Sequence, residues 1–507
     1  MKIKNAQWSK QKAAGSIVLF LVYFVMLALI GFLLLTYDKL TNLSSVFPEK
    51  GPEYLYALCA LFLLTVITYV YLFFEDREVL ASAKKISVLF IVLALQIFVS
   101  FAMGKAGMSD GLSIKTVYMR PVALGALLTY ALLGRKTAPF MVVVTSLIIY
   151  VLDNAAGVHT SGEIYASLLI SFTAGIVAIF ACFLAKTRFR IILVGFIIII
   201  PITFVIALLE VTQFVSPVES VPLPTAEYIF VKIGYGLFGA ILSVVLFLTL
   251  LPIFEWMFNC LTIYRLRELT GHDAKLLKKL REEAPGTFNH SVSVAQLAES
   301  CASALGENAD LARAAAYYHD VGKLHQPEYF TENQGDYNLH DELTPELSAD
   351  IIRSHAQDGY ELIRSHHLPQ FFADVAVQHH GTLPIRYFYA KALKMTDGEL
   401  NIEDFSYAGP KPQTRIAAII MIADAAEATV RALPVRNQDT VEEAVRKIIE
   451  ERMEFEQFSE CAITMSDLAT IRRTLVDTLT GVYHHRVSYP GLRYKRNKDG
   501  KTEGENE

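Results

Sequence analysis

The sequence predicts an all-α fold: a polytopic helical membrane domain followed by an all-helical soluble domain. Three observations predict it. Long apolar runs fill the chain up to about residue 257 and then stop. Beyond them the apolar residues recur at helical spacing, and alternating strand patterns are scarce. Histidine marks the same break: of thirteen, only His159 precedes residue 272. The whole-chain values of 53% hydrophobic and 19% charged residues average over these halves, against about a quarter charged in soluble chains.

An apolar run needs about 20 residues to cross ~30 Å of hydrocarbon. Runs at 15–36, 53–74, 86–104, 164–186, 191–214 and 226–257 meet that length. Two shorter runs, 121–133 and 139–154, flank a basic turn at Arg135 and Lys136. They are read as two spans, with one broken or re-entrant segment as the alternative. Eight spans put both termini on one side. Lys2, Lys4, Lys10 and Lys12 in the arm 1–14, and the basic loops around Arg77, Arg135 and Arg188, make that side cytoplasmic. The protein is therefore expected in the cell membrane as a multi-pass chain. The loop 105–120, with Lys105, Lys115 and Arg120, fits this alternation less well. Asp153 and Glu210 lie near span ends and read as interface residues, or as functional intramembrane carboxylates.

Residues 258–284 are expected to continue the last span as a connecting helix. A soluble helical domain follows at 285–485, with helices near 292–305, 309–319, 344–364, 370–380, 413–433, 439–456 and 465–484. The tail 486–507 is polar and expected to be disordered. Five scattered cysteines without a CxxC pair exclude a disulfide framework and a cysteine metal site. A net charge of −5 argues against a nucleic-acid polymer as partner.

His290, His319, Asp320, His355, His379, His380 and Asp424 each fall on or at the end of a predicted helix. Imidazole and carboxylate are natural ligands of divalent first-row metals. Seven such side chains are too many for one ion and fit two, with Asp320 as bridge and a bound water whose pKa falls toward ~7. Lys323, three residues after Asp320, would sit on the same helix face and offset phosphoryl charge; the alternative is a solvated lysine. Asp424 lies in the apolar stretch IAAIIMIADAAEATV, so it needs a metal or a buried base, with Arg415 or Arg431 as the alternative partner. His340 either lines a substrate cleft or caps the next helix. Tyr387, Phe388 and Tyr389 either stack on a base or pack in the core. His272-Asp273, His366-His367 and His484-His485 read as surface residues.

The stretches APGTFNHS (284–291), AAAYYHDVGKLHQPEYFTENQ (314–334), HDELTPELSADIIRSHAQDGYEL (340–362) and QHHGTLPIRYFYAKAL (378–393) closely resemble the HD domain of the 7TM receptors with intracellular HD hydrolase. That resemblance implies an all-α HD phosphohydrolase with two divalent ions, manganese or iron. The implied reaction is hydrolysis of cyclic-di-AMP to linear pApA by a metal-bridging hydroxide. The family's metal positions fall on the seven residues named above. The residues' own chemistry, apart from the resemblance, places Lys323, His340, Tyr387 and Tyr389 as candidates toward the substrate. An HD enzyme on another nucleotide, or a nucleotide-sensing receptor without turnover, are the alternatives. The expected partners are a cyclic dinucleotide and the bilayer, and a homo-oligomer is compatible with the sequence. The family's large extracellular insertion has no counterpart in residues 37–52.

Overall fold

The computed structural model describes residues 10–36, 43–106, 116–157, 160–215, 225–335, 337–395, 399–482, 495–496 and 502–503. The chain is a multi-pass, all-α protein in two compact units, Met1–Arg267 and Glu268–Glu507.

The membrane unit contains α1 (Lys10–Thr36), α2 (Leu43–Glu75), α3 (Arg77–Leu80), α4 (Ala83–Ala106), α5 (Leu124–Leu133), α6 (Thr137–Ala156), α7 (Ser161–Leu184), α8 (Arg188–Val215) and α9 (Ala226–Met257). Among the described residues, seven helices are long and apolar enough to cross a membrane. Large apolar side chains such as Phe180, Leu184, Ile200 and Phe204 point outward, where a lipid solvent removes the cost of exposing them. The helix α5 has 10 residues, about 15 Å of rise, which is half a crossing. A 3₁₀ turn, Thr116–Met119, precedes it. The expected full span at 121–133 is thus a short helix entered through a turn. The helix α2 begins at Leu43, ahead of the apolar run at 53, because a helix can extend past the hydrocarbon where apolarity no longer marks it.

Asp153 and Glu210 are buried inside the helix bundle, each paired with a buried cation. Asp153 is 1% exposed, and its carboxylate takes both Arg120 guanidinium nitrogens, at 2.5 and 2.8 Å. Ser167 accepts a further Arg120 hydrogen bond at 3.1 Å. Glu210 pairs with the buried Lys232. This also explains the irregular charge of loop 105–120: Arg120 is neutralised inside the bundle and does not act as a loop cation.

The connecting helix expected over 258–284 is instead broken twice. The helix α9 stops at Met257, where Asn259 takes a left-handed φ of 42°. Two short helices follow, α10 (Ile263–Leu269) and α11 (Lys275–Glu283), with a turn at Gly271 between them. The KLLKKL pattern of α11 buries Leu276, Leu277 and Leu280, so this helix is part of the soluble unit.

That unit continues with α12 (Pro285–Ala304), α13 (Ala309–Tyr318), α14 (Pro345–Ser365), α15 (Gln370–Gln378), α16 (Arg386–Leu393), α17 (Arg415–Ala432), α18 (Gln438–Glu454) and α19 (Met465–Val482). Their bounds follow the sequence expectation within a few residues, except that α12 opens at Pro285 and α16 was not expected. Capping sets several starts: Asn308, Thr344, Thr414 and Asn437 each accept a backbone N–H with the side chain. The core helix α17 buries every residue from Ile416 to Asp424. In the tail, Lys495–Arg496 pairs antiparallel with Thr502–Glu503; the rest of 486–507 lies outside the described residues, as do His484 and His485.

Candidate metal centre

Five helices deliver the site. His290 comes from the second turn of α12 and Asp424 from the middle of α17. His355 sits halfway along α14, while His319 and His379 cap the C-termini of α13 and α15. The four imidazoles from α12, α13, α14 and α15 converge on Asp320. Its Oδ1 lies 3.4 Å from His355 Nε2 and 3.6 Å from His379 Nε2. Its Oδ2 lies 3.3 Å from His319 Nε2 and 3.7 Å from His290 Nε2. Asp424 Oδ1 is 2.8 Å from His290 Nε2 and 3.6 Å from His319 Nε2, and its Oδ2 is 3.9 Å from His380 Nδ1. Two donor groups result: His290, His319, Asp320 and Asp424 in one, and His355, His379 and His380 in the other, with donor atoms within 4.8 Å inside each. The structure brings all seven expected residues together.

The imidazoles are oriented from behind. His319, His355 and His379 hydrogen-bond through Nδ1 to the carbonyls of Ala316, Ile352 and Ala376, at 2.7, 2.5 and 2.7 Å. Each thereby presents Nε2 to the site. His290 Nδ1 instead meets Glu427 Oε2 at 2.5 Å. His319 Nε2 and both Asp320 oxygens are buried with no aligned hydrogen bond. Lys323 Nζ is 2.8 Å from Asp320 Oδ2, an ion-pair contact, and also 2.8 Å from Glu332 Oε1. Buried polar atoms without partners are costly. Together with imidazole and carboxylate donors, they fit a divalent cation.

The electrostatics separate the two groups. Burial opposes the cationic form of His290, but hydrogen bonds that its ring donates to Asp424 and Glu427 outweigh it and raise the ring to about 9. His319 rises against the same burial to about 10, through Asp320 and Asp424. Asp320 is held well below the carboxylate range despite burial, by His319 and Lys323; Asp424 is lowered similarly by His290 and His319. In the other group burial dominates: it brings His355 down to about 3 and, with His379 and His355, holds His380 well below its usual value. Neutral imidazole is the metal-ligating form.

The tight chain path at Asp320 depends on Gly322. A Cβ there would lie 1.9 Å from the His355 carbonyl oxygen and 2.5 Å from Gly359 N. The glycine lets the 3₁₀ turn Val321–His325 touch the backbone of α14, a more specific role than leaving the Lys323 face uncrowded. Lys323 is mostly buried between its two carboxylates, not solvated. Neither arginine considered for Asp424 pairs with it: Arg415 binds Glu307 and Asp467, and Arg431 binds Glu427.

The substrate-side expectations divide. His340 does not cap α14, which Thr344 does. It is buried between Tyr329 and Phe388, with Nε2 on the Tyr329 carbonyl at 3.0 Å. Tyr389 packs against Phe405 and bonds the Leu400 carbonyl, so it serves the core, as Phe388 does. Tyr387 is 66% exposed. His272, Asp273 and His366 lie on the surface.

Sequence reasoning missed Glu427, Glu332, Gln457 and Tyr407. Glu427 was detectable: it follows Asp424 by three in an apolar helix, so the two share a face. Gln457 braces the turn after His380, accepting from Thr382 N at 3.0 Å and donating to Thr382 Oγ1 at 2.9 Å. Glu332, Gln457 and Tyr407 enter through tertiary contacts that no local pattern signals.

The fold and this centre define a membrane-embedded chain carrying a helical hydrolase-type metal domain. Two family models match: "7TM receptor with intracellular HD hydrolase" over residues 53–262 and "HD domain" over 287–429. The chain is thus similar to the 7TM receptors with intracellular HD hydrolase over its membrane unit, and to the HD domain over most of the unit that follows. It is similar to the cyclic-di-AMP phosphodiesterase PgpH of Listeria monocytogenes, at 35% identity covering 90% of this chain and 61% of that one. The Bacillus subtilis protein of the same name is 36% identical, covering 84% and 59%. The chain thus spans about three fifths of the length of these curated relatives. The crystal structure of the L. monocytogenes PgpH HD domain in complex with cyclic-di-AMP is 48% identical over 42% of this chain and 99% of that chain, with a TM-score of 0.41.

Proposed function

We propose that this chain is a membrane-anchored, divalent-metal phosphodiesterase that hydrolyses cyclic-di-AMP to linear pApA and so lowers a second messenger. The observation that carries the reading is the convergence of His290, His319, Asp320, His355, His379, His380 and Asp424, with both Asp320 oxygens and His319 Nε2 buried and lacking hydrogen bonds. The names of the two curated relatives support the substrate.

The two donor groups would hold two ions, manganese or iron, with Asp320 between them. Bound divalent ions supply a nucleophile at neutral pH and offset phosphoryl charge. Asp320 joins the groups by facing His319 and His290 with one oxygen and His355 and His379 with the other. Glu427 and the three helix carbonyls keep the imidazoles aimed. Lys323, held by Asp320 and Glu332, supplies a positive charge beside the phosphodiester.

Both termini are proposed to be cytoplasmic. The model named for seven spans matches residues 53–262. That range holds six of the long apolar helices; the 3₁₀ turn and α5 together, Val117–Leu133, are taken as the seventh crossing, so α1 makes an even total. The basic loops favour the side shared with the soluble unit.

The test uses the full chain in detergent, loaded with manganese or iron(II), with metal analysis and a cyclic-dinucleotide panel read by mass spectrometry. The expected product is pApA, and Asp320→Ala loses turnover and metal together. Hydrolysis of no cyclic dinucleotide, or near-normal turnover in Asp320→Ala, refutes the assignment.

A further inference from the structure

Three of the crossing helices leave a gap between them. In the membrane unit, α1, α2 and α6 enclose a cleft of about 260 Å³, whose walls include Ala28, Gly31 and Phe32 of α1, Tyr54 and Leu61 of α2, and Leu152 of α6. Small side chains make the space. Gly31 follows Ala28 by three residues, so the two share a face of α1. A Cβ at Gly31 would stand 3.5 Å from Leu152 Cδ2 and 3.6 Å from Leu61 Cδ1, which is ordinary contact. Close packing therefore does not force a glycine here. A longer side chain at this position would extend among residues that line the cleft.

The surroundings decide what fills it. All three walls belong to stretches long and apolar enough to cross a membrane. Only 17% and 22% of the crossing stretches of α1 and α2 are buried in the protein, so most of both helices faces lipid. Leu55 and Leu58 line the cleft and are also 61% and 42% exposed, which makes the cleft continuous with the lipid-facing surface. Among the described residues, every side chain lining it is apolar except for the Tyr54 hydroxyl. A water there would lack the roughly two to four polar partners it needs. An apolar cavity of about 150 Å³ is already large enough to take benzene, and this one is larger and borders hydrocarbon.

We propose that the cleft is a lipid site: it takes one acyl chain of a membrane phospholipid, which completes the packing of α1 against α2 and α6. The headgroup plays no part in recognition, because no charged side chain lines the cleft. Moving a chain from the bilayer into the cleft exchanges one hydrocarbon environment for another. Binding therefore draws on contact with the walls and depends on the space being open.

The test uses the full chain in detergent, stripped of lipid. The probe is palmitoyl-oleoyl phosphatidylcholine, and dihexanoyl phosphatidylcholine is the control with the same headgroup and short chains. Native mass spectrometry reads bound lipid, and thermal unfolding reads its effect. Wild type should hold one palmitoyl-oleoyl lipid saturably, and its midpoint should rise because the lipid binds the folded state; the dihexanoyl lipid should have a much smaller effect. Gly31→Leu and Ala28→Leu each put a side chain into the cleft. They should weaken the lipid adduct about 10-fold or more, since chain and side chain now compete for one space. They should unfold at or above the midpoint of lipid-free wild type, because they fill the cavity themselves. Val22→Leu adds bulk at a lipid-facing position of α1, 50% exposed, and should match wild type. Wild type without a saturable adduct overturns the proposal, as do equal effects of the two lipids or filled variants that bind lipid as tightly as wild type. If both filled variants fail to fold, the comparison of the two lipids on wild type decides.

Discussion

Replacing Gly322 with alanine adds one methyl group, and the structure states what that methyl meets. Its Cβ would stand 1.9 Å from the His355 carbonyl oxygen and 2.5 Å from Gly359 N. Ordinary contact begins near 3.4 Å, so the turn and α14 must separate by about 1.5 Å. Both obstacles are backbone, and no rotamer change relieves them. Overpacking of this kind costs about 1–3 kcal/mol, or roughly 2–10 °C in the unfolding midpoint of a unit this size. The functional cost is larger. The His355 carbonyl belongs to the residue that reaches Asp320 Oδ1 at 3.4 Å, and a misplacement of about 1 Å in such a site costs on the order of 100-fold in rate. The assay is thermal unfolding of the full chain, metal content, and turnover per folded molecule. Gly322→Ala with an unshifted midpoint and wild-type turnover refutes the reasoning, because it means the turn and α14 are not in backbone contact.

Other perturbations test separate parts. Glu427→Gln removes the charged partner of His290 Nδ1 and should weaken metal binding about 10- to 100-fold, measured by titration with a chelator as competitor. Lys323→Ala should lower turnover while metal stays bound, since its Nζ contacts Asp320 and Glu332 without filling the donor positions; loss of metal would contradict this. Arg120→Ala leaves Asp153 charged and buried and should cost about 3–5 kcal/mol in detergent unfolding. The double variant Arg120→Ala/Asp153→Ala should recover most of that loss; no recovery would refute the pair's account.

The membrane helices were legible because length and apolarity are local, and lipid imposes both. What those properties cannot show is pairing. Arg120 and Asp153 looked like a loop cation and an interface acid, yet they meet across 33 positions of sequence. The breaks at Asn259 and Gly271 were hidden for a related reason: the polar run that follows α9 has helical composition throughout, and only the left-handed φ at Asn259 and the burial of Leu276, Leu277 and Leu280 end the continuity. In the second unit the residues proposed as metal ligands stood out because histidine and aspartate in apolar helices have few other uses. Their supporting groups did not. Glu332, Gln457 and Tyr407 are ordinary loop or turn residues until the fold carries them to Lys323, Thr382 and His380.

The two doublets, His319-Asp320 and His379-His380, share a physical device. On a continuing α-helix neighbouring side chains diverge by about 100°, so two adjacent ligands cannot face one site. Both helices stop at the doublet. The helix α13 ends at Tyr318, and Asp320 takes φ −108° and ψ 12° as the chain tightens into the 3₁₀ turn. The helix α15 ends at Gln378, and Gly381 follows with φ 55°, a conformation that glycine adopts without strain. A Cβ at Gly381 would also strike Gln457 Oε1 at 2.1 Å, the same oxygen that accepts from Thr382 N. The helix ends are therefore part of the donor geometry: Gly322 lets the first doublet's turn close on α14, and Gly381 with Gln457 fixes the turn that follows the second. A site built this way reads in sequence as a ligand pair followed within two residues by glycine, which is the pattern of His319-Asp320-Val321-Gly322 and His379-His380-Gly381.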